Sequence, residues 1–119
     1  TGPYILYTYV RTKKIIKNNE TFVDNLSKTI YNVHDRSLRL KILELDEILN
    51  YAFKTRMPSV IANYLYEICV LVNTFYENNH INNLEDYEKK RDWVTLLSLT
   101  LDIIKDLLEI LVMEIPSKM

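Results

Sequence analysis

PSVIANYLYEICVLVNTFYENNH, residues 58–80, reads as one long helix carrying two stripes at helical spacing. Ile61, Leu65, Ile68, Val72 and Phe75 recur at three- and four-residue steps, which makes an apolar face wide enough to be a core seam. Tyr66, Cys69, Asn73, Tyr76 and His80 line a different face. That second stripe sets aromatic planes beside an amide and an imidazole, groups that stack on unpaired bases and hydrogen-bond their edges. The same spacing fits plain packing, with the hydroxyls of Tyr66 and Tyr76 at the rim of the core. Periodicity alone leaves both readings open.

Working outward, 119 residues suit one domain, and a compact fold of that size buries roughly two-thirds of its chain's surface. A single Gly and three Pro argue against the Gly-bearing turns of a parallel α/β fold and for an all-α protein. The net charge of −1 hides an asymmetry: residues 1–41 carry eight Lys/Arg against three Asp/Glu, a net of +5, which leaves −6 for the remainder. Such a split hints at a polyanion partner near the N-terminal end, and a solvated helix face explains it equally well. Cys69, the only cysteine, excludes an intrachain disulfide and a thiolate metal cluster. The most apolar run, Trp93 to Met113, is broken by Asp102, Lys105, Asp106 and Glu109, too many charges for a membrane span. With no secretory signal, a soluble, cytoplasmic protein is expected. The start at Thr1, with an apolar helix almost at once, reads as a cut from a longer protein.

In chain order, long helices are expected near 3–18, 58–79 and 89–112, with shorter ones within 36–56 and no β-sheet. In the first helix Tyr4, Tyr7, Arg11 and Lys14 share one face; Ile5, Tyr9, Thr12 and Ile16 share the better candidate for burial. Arg11, Lys13, Lys14 and Lys17 form the densest basic cluster, suited to phosphate contact or to an exposed helix end whose cations complement the dipole. Residues 19–35 place Phe22, Leu26, Ile30 and Val33 at helical spacing, yet their many Asn, Thr and Ser favour a loop with a short helix. Asp35 is expected to cap a helix from Arg36 to about Glu44, with Leu38, Ile42 and Leu45 inward. Asp46 is expected to cap another over residues 47–55, carrying Ile48, Leu49, Ala52 and Phe53. Residues 81–88 read as a polar connection, and the last helix points Trp93, Leu96, Leu97, Ile104, Leu108 and Leu111 inward. Asp102, Asp106 and Glu109 face water, and Pro116 ends the helix.

No phosphate-cradling loop, nucleophile elbow or zinc signature is present. Glu77 and His80 form a Glu-x-x-His pair of the kind seen in di-iron bundles, but a second such pair is lacking, since His34 follows no Glu three residues earlier. No metal, cofactor or catalytic residue is expected.

Three segments in register resemble the C-terminal anticodon-binding (DALR) domain of arginyl-tRNA synthetases. Thr1-Gly-Pro-Tyr-Ile-Leu-Tyr-Thr-Tyr-Val-Arg11 resembles that family's TGPYLQYAHAR. ANYLYEI, residues 62–68, and VNTFY, residues 72–76, are similar to ARYLYEL and FNSFY. Pro116-Ser-Lys-Met119 resembles PERM, and the likeness spans the whole chain. It implies that residues 1–119 form one bundle of about four to five helices that reads the anticodon loop of arginine tRNA. It places Tyr4 or Tyr7, Tyr76 and Met119 at the anticodon, with Asn73 and Arg11 as neighbours; Lys13, Lys14 and Lys17 are expected as weaker phosphate contacts on the basic cluster alone. It also implies a catalytic domain on the rest of a class I synthetase chain, which alone would bind ATP and arginine. The pattern departs from the family at Leu6 (Gln), Asn63 (Arg), Leu101 (Arg), and Leu107 and Val112 (Gly). These departures motivate an alternative, a helical protein-interaction module that kept the fold and lost tRNA.

Overall fold

A computed structural model describes residues 2–114. It contains α1 (Gly2–Asn18), a 3-10 turn (Glu20–Phe22), α2 (Val33–Leu43), α3 (Leu45–Thr55), α4 (Pro58–Asn78) and α5 (Tyr87–Glu114). Among the described residues there is no strand, as an all-α reading requires. The central helix α4 packs against each of the other four α-helices. Helix α5, at 1.5 Å per residue, is about 42 Å long and sets the 50 Å long axis of the molecule.

The apolar stripe of α4 is the core. Ile61, Leu65, Ile68, Val72 and Phe75 are each buried, and Trp93, Val94, Leu96, Leu97, Ile104 and Leu107 of α5 close over them. Phe75 meets Trp93 edge-on with ring centroids 5.4 Å apart. Leu108 and Leu111 are only half-buried, packed against the edge of the core. No glycine breaks α5 at Leu107 or Val112, and the helix continues to Glu114. Pro58 occupies the first turn of α4, where its missing N–H costs nothing.

Several local expectations shift. The buried arc of α1 is Ile5, Thr8, Thr12 and Ile15, while Tyr9 and Ile16 are half-buried. Burial is thus rotated towards the two threonines. Helix α2 begins three residues earlier than expected, capped by Asn32, whose side chain accepts from the backbone N–H of His34 and Asp35. Asp35 is therefore not a cap but a buried carboxylate. Asp46 caps nothing either: α3 follows Glu44 directly and has no side-chain cap. Phe53 is 60 % exposed, Ala52 being the buried residue of α3. Ile30 and Val33 point outward despite their spacing. Within the polar connection, Ile81 is fully buried.

Residues 23–32 stay out of helix because their backbone groups find side-chain partners before they can find helical ones. Asp24 N–H donates to Thr95 Oγ1 at 2.9 Å, Ser27 N–H to Asp92 Oδ1 at 2.6 Å and Tyr31 N–H to Asp35 Oδ2 at 3.0 Å. Arg39 joins the two acids. Its Nε donates to Asp35 Oδ1 at 2.5 Å, its Nη2 to Asp92 Oδ2 at 2.6 Å and its Nη1 to the Ser27 carbonyl at 2.7 Å. Trp93 Nε1 completes Asp35 at 3.2 Å. Removing one member of a buried charge network leaves the others uncompensated. Arg39→Ala is expected to destabilise the fold by about 3–5 kcal/mol, read as a lower urea midpoint with an unchanged slope.

Two further groups are held neutral by the core. Burial pushes the Cys69 thiol up to about 12. Burial, helped by Glu44 and Glu67, raises the Tyr64 phenol above its ordinary value, and its hydroxyl donates to the Lys41 carbonyl at 2.5 Å. A folded-state pKa above the unfolded one means that the native form keeps its proton longer, so the stabilisation is complete below the unfolded value. It is lost as pH rises from about 9 towards about 12. The melting temperature is expected to fall steeply over that window. Tyr64→Phe should melt lower at neutral pH, by about 1 kcal/mol for the lost hydrogen bond, yet decline less steeply in alkali.

Candidate nucleic-acid interface

Helices α1 and α4 run side by side in the same direction. Tyr4 meets Tyr66, Arg11 meets Tyr76, and Asn19 beyond the end of α1 reaches Asn82 beyond the end of α4. The second stripe of α4 faces this seam. Cys69 and Asn73 are buried in it, Tyr66 and Tyr76 flank them, and His80 is exposed beyond the last residue of the helix.

Asn73, 7 % exposed, is the hub of the seam. Its Nδ2 donates to the Tyr4 hydroxyl at 2.9 Å and to Thr8 Oγ1 at 2.8 Å, and its Oδ1 accepts from Arg11 Nη1 at 3.2 Å. The amide's orientation follows from chemistry, since a guanidinium can only donate. The Thr8 hydroxyl in turn donates to the Tyr4 carbonyl at 2.9 Å. Both donors of Asn73 are spent inside the protein, so this residue positions its neighbours.

The groups it positions are the accessible ones. Arg11 lies over the Tyr76 ring, with its guanidinium carbon 4.6 Å from the centroid, a cation–π distance. The same guanidinium is 5.9 Å from the Tyr7 centroid and reaches the Tyr7 hydroxyl at 3.5 Å. Tyr7 is 57 % exposed; Arg11 and Tyr76 are half-buried. Tyr4, also half-buried, packs on Tyr66 at 5.5 Å with a 48° tilt. Lys13, Lys14 and Lys17 are exposed further along α1, with Lys13 5.9 Å from the Tyr9 ring. The surface therefore offers aromatic planes, a fixed guanidinium and a run of cations, the combination that takes unpaired bases and their phosphates.

Five of the residues that sequence points to, Tyr4, Tyr7, Arg11, Asn73 and Tyr76, thus come together at one seam, 62 or more residues apart in sequence across the two helices. Met119 lies outside the described residues. Thr8 is a member of the seam that sequence reasoning missed, although its place one turn beyond Tyr4 on the same helical face is the signal that could have found it. The Gln, Arg and Gly departures fall on other residues: Leu6 and Val112 are exposed, Asn63 is exposed on α4 one turn before Tyr66, Leu101 is half-buried and Leu107 fills the core.

Comparisons with known proteins show the family. The chain is 36 % identical over 122 residues to the arginine–tRNA ligase of Alkaliphilus oremlandii and 36 % over 121 residues to that of Buchnera aphidicola. It is 33 % identical over 122 residues to that of Pasteurella multocida. Each alignment covers all of this chain but only 21–22 % of the relative, so the chain spans about a fifth of the length of the curated relatives it matches. No solved structure gives a significant match. Residues 5–119 match the DALR anticodon binding domain, and the chain belongs to that family.

Proposed function

We propose that residues 1–119 act as one anticodon-binding domain of an arginine–tRNA ligase, holding the anticodon loop of arginine tRNA in the cytoplasm. The rest of the synthetase chain would carry aminoacylation with ATP and arginine; the described residues contribute binding and orientation. The observation that carries the reading is the Arg11–Tyr76 stack held by Asn73. A ring fixed in this way presents a base with a platform that needs no rearrangement, and a guanidinium edge beside it meets a phosphate or a base edge. Tyr7, flanking the same guanidinium, supplies a second exposed plane, and Tyr4 braces the seam from behind. Lys13, Lys14 and Lys17 extend the cationic track along α1, and Met119 belongs to the same reading through its place in the family's terminal motif. None of the departures falls on Tyr4, Tyr7, Arg11, Asn73 or Tyr76, which supports retained binding over a module that has lost it.

Tyr76→Ala is expected to weaken binding of arginine tRNA by about 1–3 kcal/mol in a filter-binding titration, with the helical circular dichroism retained. An unrelated tRNA should bind the parent less tightly. Equal affinity for both tRNAs, or a Tyr76→Ala variant that loses stability but binds normally per folded molecule, would return the seam to a packing role. Changing Arg11, Lys13, Lys14 and Lys17 together to Ala should flatten the dependence of log affinity on log salt by about 0.7–0.9 for each phosphate that is no longer neutralised. A slope identical to the parent's would make these side chains plain surface.

A further inference from the structure

We infer that Tyr66 is a second stacking platform, taking an unpaired RNA base other than the one at Tyr76. The inference rests on the reading of the α1–α4 seam as an RNA surface, and extends it to a residue for which that reading gives no role.

Tyr66 is unusual among the large side chains of α4. Tyr64, Leu65, Ile68 and Phe75 are all buried, whereas Tyr66 is 40 % exposed. One side of its ring is backed by Tyr4, 5.5 Å away. Tyr4 is itself fixed, because its hydroxyl accepts from Asn73 at 2.9 Å. Tyr66 is thus a ring braced from within and open to solvent, which loses little rotamer freedom when a base settles on it. Its hydroxyl has no hydrogen-bond partner among the described residues, so the exposed ring is what it offers.

Spacing decides what such a ring would bind. Ten residues of helix separate Tyr66 from Tyr76, a rise of about 15 Å. A stacked strand advances about 3.4 Å per nucleotide, so the two rings are too far apart to share one base. They are close enough to take different bases of one loop. Tyr7 and Arg11 stand on α1 beside Asn73, between the two ends, and supply a plane and a charge for the intervening nucleotides. Aromatic platforms separated by a cation are the arrangement that holds a single strand without needing to read each base.

The test is a fluorescence-anisotropy titration of the chain with a labelled anticodon stem–loop of arginine tRNA, intact or with one loop base removed at a time. Tyr66→Ala should weaken binding about 5- to 150-fold, as expected when one base–aromatic stack is removed. Tyr66→Phe should bind as the parent does. Tyr66→Leu keeps apolar packing on Tyr4 but has no π-face, and should bind as weakly as the alanine variant. The abasic position that costs the parent affinity but costs Tyr66→Ala nothing further should differ from the one found with Tyr76→Ala. Parental affinity in Tyr66→Ala or Tyr66→Leu, with Tyr76→Ala still impaired, would overturn this inference and leave the proposed function standing. A parent chain that does not bind the intact stem–loop would overturn both.

Discussion

Asp35 is a fully buried carboxylate, and the arrangement of the helices depends on how its charge is satisfied. Three donors converge on it, from Arg39 in α2, Trp93 in α5 and the backbone of Tyr31 in the preceding loop. An unpaired charge in that position would cost several kcal/mol, so α2, α5 and the loop cannot drift independently. Arg39 then directs two of its other N–H groups to Asp92 and the Ser27 carbonyl, which straps residues 23–32 across the molecule. The strap continues at the next residues: Asn32 Nδ2 donates to Asn79 Oδ1 at 2.7 Å, and Asn79 closes the end of α4 on the Phe75 carbonyl. Asn19 ties the end of α1 to Asn82 in the same way, at 3.1 Å. Both C-terminal ends at the seam are therefore anchored. A slip of α1 by one turn, about 5.4 Å, would move Arg11 off Tyr76, and these ties oppose it.

Within the seam, burial and availability are divided between residues. Thr8 and Asn73 are small enough to let two helices approach, and their polar groups are satisfied there rather than left to water. Satisfied buried networks are rigid. Tyr7, Tyr66, Arg11 and Tyr76 keep part of their surface open. If the seam binds as proposed, its orienting bonds are made before any ligand arrives, which lowers the entropic cost of association.

The long helices were legible because their signal is local. A 3.6-residue period in Ile61, Leu65, Ile68, Val72 and Phe75 survives any change of partner, and all five are buried. The capping of α2 was not legible for the opposite reason. Asn32 and Asp35 are both acceptable caps by residue type. What assigns them is Trp93, 58 residues away, and Arg39 bridging to Asp92, and no spacing rule reports such contacts. Ile81 hides in a run of asparagines, where composition predicts solvent and the Asn19 and Asn32 ties instead fold the chain back over the core. At the seam, spacing put Asn73 and Tyr76 on one face of α4, and left open whether that face packed or bound. Its pairing with Tyr4 and Arg11 is a tertiary fact that periodicity could not supply; likeness to a family did.

Charge and geometry have separate tasks on this surface. Exposed Lys13, Lys14 and Lys17 lie on α1, while exposed Asp102, Asp106 and Glu109 lie on α5. At 0.1 M salt these fields decay over about 10 Å, so they discriminate between faces only for a polyanion already near contact. Counterion release from such cations would contribute affinity but no register, since every phosphate resembles the next. In the proposed reading, register would come from groups whose positions differ along the surface, the rings at Tyr66, Tyr7 and Tyr76, held in place through the Asn73 network. On that reading, weakening Asn73 would leave electrostatic attraction largely intact while removing the geometry proposed to make it specific.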